Sequence, residues 1–237
     1  MKNKILRVII MRLIFRRGYI CCGCGKRISA GDAFAVFKRT ALCNECRSKF
    51  DDIPPNSTFE GSDYYDFSVS PFFYDGLYRD IFLKFKFSGF YTYGDILGMA
   101  AVEYFANSCG FSEYDCIVPV PLSAKRLRER GFNQTDILFK YISRTLNVPM
   151  MNYLERTKHR PAQSTLTGLD RINNIKNVFE AVKPLSGMKI IIADDVLTTG
   201  STINECAKVL KEAGAASVCA VTAARVKYKQ STGIYYL

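Results

Sequence analysis

The sequence predicts an α/β fold, a parallel sheet flanked by helices, with a small cysteine-held ribbon in front of it. Three observations carry this. Cys116-Ile-Val-Pro-Val-Pro121 and Ile190-Ile-Ile-Ala193 are short apolar runs suited to strands buried on both faces. A helical pattern follows each: about Gln134–Leu146 after the first, and a segment opened by Thr202 and closed by Gly214 after the second. Ahead of both lie Cys21-x2-Cys24 and Cys43-x2-Cys46, eighteen residues apart.

A chain of 237 residues holds one ordinary domain and an appendage. With 48% apolar residues it can bury a core, which argues against wholesale disorder. No stretch nears the ~20 apolar residues of a membrane span. Arg7 and Arg12 interrupt the apolar start and no small-residue cleavage site follows, so the expectation is a cytosolic chain. The net charge of +11 is uneven: +10 over residues 1–50, −8 over 51–117 and +9 over 118–237. Such asymmetry suits an anionic partner, whether nucleic acid, a membrane surface or a polyphosphate; the alternative is a basic surface kept for solubility.

The cysteine pairs have the spacing of a tetrathiolate zinc site, with Cys21, Cys24, Cys43 and Cys46 as ligands. Residues 28–40 between them are long enough for a β-hairpin, and Phe34 and Val36 alternate as in a strand. Four thiolates fill a zinc tetrahedron and leave no open position, so the metal is structural and supplies folding energy to a ribbon with little core. Cys22 is a bystander. Lys26, Arg27, Lys38, Arg39, Arg47 and Lys49 fit a nucleic-acid or protein dock, and equally a solvated basic face. Residues Ile5–Phe15 read as a short basic amphipathic helix that packs on the protein or touches anionic lipid.

Asp51–Ser62, with its Pro-Pro and Gly, reads as a linker. In the aromatic-rich stretch after it, Leu77, Ile81, Phe82 and Phe85 keep helical spacing, and a second helix runs over about Gly94–Asn107. The aromatics are core or, with Arg79, Lys84 and Lys86, a base-stacking surface. The strand at Cys116 leads into a basic loop holding Lys125, Arg126, Arg128 and Arg130, at the strand end where open α/β sheets bind ligands.

The most specific segment is Ile190–Thr202, IIIADDVLTTGST. An apolar strand runs into vicinal carboxylates, Asp194 and Asp195, suited to gripping sugar hydroxyls or the water shell of Mg²⁺. Thr198-Thr199-Gly200-Ser201-Thr202 then forms a hydroxyl-lined turn into a helix, with Thr202 and Glu205 at capping-box spacing. Backbone N–H groups, hydroxyls and the helix dipole converge there on a phosphate. The pattern is neither a Walker loop nor a dinucleotide fingerprint. Acids before a phosphate loop point to a ribose 5-phosphate.

This segment resembles the phosphoribosyl pyrophosphate (PRPP) motif of type I phosphoribosyltransferases, and the chain resembles the competence protein F (ComF) family from about Cys21 to Arg225. The resemblance rests on both Cys pairs, Tyr74-Asp-Gly…Arg79…Lys86-Phe…Gly89, Val118-Pro-Val-Pro…Arg130-Gly-Phe-Asn-Gln134, Arg156…Gln163, Arg171…Asn174 and Asp194–Thr202. The chain departs from the family at Arg160, where Thr is usual, and at Asn177-Val178-Phe179, where Gly-Ala-Phe is usual.

The resemblance implies a type I phosphoribosyltransferase-like domain over residues 51–237, its 51–110 part being linker and helical hood, behind a helix and zinc ribbon in residues 1–50. It implies that Asp194 and Asp195 hold the ribose hydroxyls as the catalytic acids, while Val196 and Thr198–Thr202 hold the 5-phosphate. Ser123, Lys125 and Arg126 would meet the pyrophosphate with Mg²⁺. Arg156, Lys158, His159, Arg160 and Gln163 would form a flexible flap, with His159 aiding phosphate binding or acting as acid/base. It further implies DNA uptake in natural transformation: handling of incoming single-stranded DNA in the cytosol, at the inner face of the membrane, beside a helicase-like ATPase. An active phosphoribosyltransferase with a nitrogen acceptor, and a PRPP sensor without turnover, are the alternatives.

Overall fold

A computed structural model of the chain describes residues 18–108, 110–157 and 178–227. The expected helix at Ile5–Phe15 and the flap residues Lys158, His159, Arg160 and Gln163 lie outside the described residues.

The main sheet has the order β5 (Phe59–Glu60), β6 (Phe67–Val69), β11 (Ser217–Arg225), β10 (Lys189–Leu197), β7 (Cys116–Pro119). All neighbours pair in parallel except β5, an antiparallel edge. Alternation along β10 explains the layers. Ile191 and Ala193 join an apolar cluster beneath helices α2 (Gly76–Phe87), α3 (Tyr91–Ala106) and α5 (Gln134–Leu146). Ile190 and Ile192 join a second cluster under α6 (Ser201–Glu212), with Ile203, Cys206, Ala207 and Leu210. Side chains of period two thus fill both faces of one sheet.

The ribbon is a four-stranded sheet ordered β2 (Arg27–Ile28), β1 (Tyr19–Cys21), β4 (Thr40–Cys43), β3 (Ala33–Phe37), and it ends in α1 (Asn44–Arg47). The expected hairpin is β3–β4, turning at Lys38 with φ 57°. The ribbon shares the core of the sheet: Cys21, Leu42, Cys46 and Phe50 belong to the same cluster as Phe72, Tyr78 and Ile191. Arg47 ties it further, donating to both oxygens of Asp52 at 2.9 Å, with its guanidinium 5.1–5.5 Å from the ring centres of Phe34, Phe50 and Phe72.

Three stretches differ from expectation. The stretch read as a linker is tied down: the Ile53 N–H donates to the Pro71 carbonyl and the Phe73 N–H to the Asp51 carbonyl, both at 2.9 Å. Helix α3 starts at Tyr91 rather than Gly94, because Gly89 (φ 71°) lets the chain reverse within three residues of α2. The basic loop is the short helix α4 (Ala124–Arg130), capped by the Ser123 hydroxyl accepting from the Arg126 N–H at 3.2 Å and closed by Gly131 at φ 77°. Its Ala, Lys, Arg, Leu and Glu are all good helix formers, which explains a helix without an apolar stripe.

Helices α3 and α5 approach closely at Gly98, where an added Cβ would stand 2.6 Å from the Leu138 carbonyl oxygen. Beside it, the buried Asp95 accepts from Tyr141 Oη at 2.8 Å and pairs with Lys140. Backbone cannot yield as a side-chain tip does, so Gly98→Ala should destabilise the protein by about 1–3 kcal/mol. Urea unfolding checks this as a lower midpoint with an unchanged slope.

Candidate functional site

The site exists because β7 stops early. Its last paired residue, Pro119, lies opposite Ala193, while β10 runs on against β11 as far as Leu197 opposite Arg225. Pro121 has no N–H to extend the ladder. Asp194, Asp195 and Val196 therefore line a crevice at the carboxyl end of the sheet, half-buried rather than sealed.

The segment Thr198–Thr202 closes one side. Gly200 has φ 74°, and α6 begins at Ser201, so Gly200 is the cap and the Thr202–Glu205 capping box is not formed. The reason is conformational: the turn needs a left-handed residue immediately before the helix, which places Thr202 inside the first turn. The Thr199 and Ser201 hydroxyls lie 2.9 Å apart, and Thr199 Oγ1 accepts from the Ser201 N–H at 3.4 Å. With Asp194, Val196, Leu197 and Ile203 they wall a hollow of about 40 Å³ at the amino end of the twelve-residue helix. Small volume, hydroxyls and a helix N-terminus suit a phosphate-sized anion. Larger cavities lie elsewhere, one of about 350 Å³ between Pro119, Leu127 and Phe132 and one of about 310 Å³ at the opposite, amino end of the strands.

The two acids differ. Asp195 Oδ2 accepts from Lys86 Nζ at 3.0 Å, a cation delivered from α2 that also lies 5.4 Å from the Phe82 ring centre. Burial and the neighbouring Asp195 charge push the Asp194 carboxyl up to about 7, against the pull of the Asp195 N–H, which donates to Asp194 Oδ1 at 2.8 Å, and of Lys86 and Arg126. Burial lowers the pKa of Arg130, opposed by the Asp195 charge; its Nη1 donates to Gln134 Oε1 at 2.9 Å. Tyr74 is raised by burial, with Arg79 and Asp195 also in its surroundings.

Of the expected site residues, the structure gathers Asp194, Asp195, Val196, Thr198, Thr199, Gly200, Ser201 and Thr202 around the hollow and crevice. Ser123 caps α4; Arg126 is exposed there, its charge reaching Asp194, and Lys125 is exposed and 3.9 Å from Glu129. Arg156 sits on β8 (Leu154–Arg156), paired with β9 (Phe179–Ala181), its guanidinium 5.2 Å from the Phe179 ring centre. Lys86 and Arg130 were not among the expected site residues. Both stand in motifs of the sequence, Lys86 in the aromatic stretch and Arg130 in the basic loop, but they lie 109 and 65 residues before Asp195, and neither motif states that it meets the acids.

The second constellation is Cys21, Cys24, Cys43 and Cys46, whose sulfurs all lie within 4.8 Å of one another. Cys21 and Cys43 sulfurs are 3.6 Å apart, near the ~3.8 Å edge of a tetrahedron with ~2.3 Å zinc–sulfur bonds. Burial raises the Cys21 thiol, yet the N–H groups of Cys24, Cys43 and Gly23 outweigh it and bring the pKa to about 7, whereas burial raises Cys43 and Cys46, so only a bound cation would favour the thiolate at all four. Cys22 is buried outside this set, and burial pushes its thiol up to about 12.

A family model for the phosphoribosyl transferase domain matches residues 137–233, which include the crevice and the hollow. Competence protein F of Haemophilus influenzae is 39% identical over 104 residues, covering 42% of this chain and 45% of that protein. DNA utilization protein YhgH of Escherichia coli K12 is 42% identical over 113 residues, 47% of this chain and 50% of the relative. Competence protein ComFC of Streptococcus pneumoniae is 31% identical over 147 residues, covering 62% and 63%. Over these stretches the chain is similar to competence and DNA utilization proteins and to the phosphoribosyl transferase domain. The chain spans about half the length of the first two relatives.

Two outcomes follow from this geometry. Metal analysis of freshly purified, reduced protein should find about one zinc per chain, and a chelator should lower the melting temperature. Asp194 has its carboxyl pKa raised from 3.8 to about 7 on folding, so the proton is held more tightly by the folded form. Its contribution to stability is full below about pH 4 and is lost as pH rises through about 7. Asp194→Asn should therefore melt above the parent protein at pH 8 and level with it near pH 4, as differential scanning calorimetry checks.

Proposed function

We propose that the chain binds PRPP in the crevice and acts in DNA uptake, handling incoming single-stranded DNA. The observation that carries the PRPP reading is the juxtaposition of Asp194 and Asp195 with the Thr198–Thr202 hollow at the end of β10. Carboxylates accept from vicinal ribose hydroxyls, while hydroxyls and N–H groups at the start of α6 receive the 5-phosphate. In this reading Arg126 on α4, with Ser123 and Lys125, receives the pyrophosphate. Arg156 is held in β8 rather than in a flap, and in this reading Lys158, His159, Arg160 and Gln163, which follow it in sequence, serve to close over PRPP. Mg²⁺ bound with PRPP would neutralise pyrophosphate charge.

The DNA side of the proposal draws on relatives named for competence and DNA utilization. It also draws on the exposed basic residues of α4 and the ribbon. No helix among the described residues is long and apolar enough to cross a membrane. In this reading the protein works on the cytoplasmic side, at the inner face of the membrane, with a helicase-like ATPase handing over the strand.

One observation favours a second reading, an active phosphoribosyltransferase. A carboxyl raised to about 7 suits a general base near neutral pH. Asp194 would take the proton of a nitrogen acceptor as that nitrogen bonds to C1, the C1–oxygen bond breaks and pyrophosphate leaves. Lys86 would hold Asp195 in place beside it through their 3.0 Å ion pair.

Asp194→Ala with Asp195→Ala should weaken PRPP binding at least about tenfold in calorimetry while circular dichroism stays native, since hydrogen bonds to charged groups contribute about 1.5–3 kcal/mol each. Unchanged affinity would remove the crevice assignment. Pyrophosphate release across a nucleobase panel, with and without single-stranded DNA, separates enzyme from binder.

A further inference from the structure

Six large apolar side chains are exposed among the described residues, and three of them, Phe87 (69%), Phe90 (48%) and Tyr91 (51%), fall within five positions at the α2–α3 turn. A fourth, Leu127, lies on α4, whose neighbourhood adjoins this turn through Arg130 and Phe132. The turn is too short to fold these rings back onto the core. Gly89 at φ 71° reverses the chain between Phe87 and Phe90, so the rings splay outward.

What surrounds the rings is cationic and ordered. The Arg130 guanidinium lies 5.4 Å from the Phe87 ring centre. Tyr91 meets Phe132 edge-on at 4.8 Å, and Phe90 stacks on Tyr93 at 4.9 Å, so two of the three rings are braced from below. On one flank stands α4, with no buried residue, bearing Arg128 on an exposed surface. On the other, a hydroxyl contact of 2.8 Å between Thr40 and Thr92 sets the exposed ribbon tip, Lys38 and Arg39, beside the start of α3. Lys86, adjacent to Phe87, is the residue paired with Asp195, so this surface adjoins the mouth of the crevice.

Braced exposed rings interleaved with cations are the chemistry of a stacking surface for unpaired bases with phosphates alongside. A duplex hides its base faces, and a purely apolar protein partner gains nothing from the flanking charges. We propose that the α2–α3 turn is a platform for single-stranded nucleic acid, on which Phe87, Phe90 and Tyr91 stack bases while Lys38, Arg39 and Arg128 meet phosphates. The inference rests on the single-strand reading above and gives the strand a place in the molecule.

Fluorescence anisotropy of labelled dT20 with the full zinc-loaded chain tests it. Phe90→Ala with Tyr91→Ala should weaken dT20 binding at least about tenfold, because each base–aromatic stack removed is worth on the order of fivefold or more. An abasic 20-mer should bind parent and variant alike, Tyr91→Trp should retain dT20 affinity, and PRPP affinity by calorimetry should not change. Lys38→Ala with Arg39→Ala should instead flatten the salt dependence, by about 0.7 in log–log slope for each phosphate no longer neutralised. Equal dT20 affinity in the parent and Phe90→Ala/Tyr91→Ala proteins would overturn the platform and leave the single-strand reading standing. Absence of dT20 binding by the parent protein at low salt would overturn both and leave the turn to a protein partner.

Discussion

The parallel pairing of β10 with β11, carried beyond the end of β7, is the constraint on which the molecule turns. Residues 190–193 and 218–224 are buried along these strands, so their backbone groups find their partners in the ladder. Stopping β7 at Pro119 then exposes the last residues of β10 on one side while β11 still supports them on the other. Carboxylates at that position are held by a rigid strand, and their charge is managed from outside the sheet by Lys86 and the more distant arginines. A shorter β10 would place the same acids in a loop, where neither their spacing nor the burial that raises Asp194 would be fixed.

The hood and the ribbon answer a second demand, that of covering the sheet face under α2, α3 and α5. A run of aromatic contacts does this, from Phe50 through Phe72, Tyr78, Phe82 and Phe85 to Phe132, with ring centres 5.0–6.3 Å apart. Each such contact contributes about 0.5–1.5 kcal/mol beyond burial. Arg47 adds a cation over two of these rings, Phe50 and Phe72, and Lys140 reaches the ribbon, 5.4 Å from the Phe37 ring centre, while pairing with Asp95. The ribbon is therefore fastened by apolar contact and by charge to helices that begin beside the crevice.

Much of this was legible in the sequence because the signals were local. The apolar run at Cys116, the α5 pattern from Gln134 to Leu146, the acids and glycine of Ile190–Thr202 and the two Cys pairs each declare themselves within about a dozen residues, and the structure places them in a strand, a helix, a cradle and a cluster. What escaped was non-local or conformational. The sign of φ at Gly200 decides where α6 begins, and no residue type states it. A stretch as charged as Ala124–Arg130 shows no apolar period although it is helical. The split of one aromatic stretch into buried Tyr78, Phe82 and Phe85 and outward Phe87, Phe90 and Tyr91 depends on a reversal at Gly89 that periodicity does not register.

The shared core of ribbon and sheet has a mechanical consequence. A module hung on a flexible tether raises local concentration but transmits neither direction nor distance. Here Leu42 and Cys46 lie in the same packed cluster as Ile191, three residues before the first acid of the crevice. A partner seated on the ribbon would be held as by the fixed jaw of a caliper, at a set span and angle from Asp194.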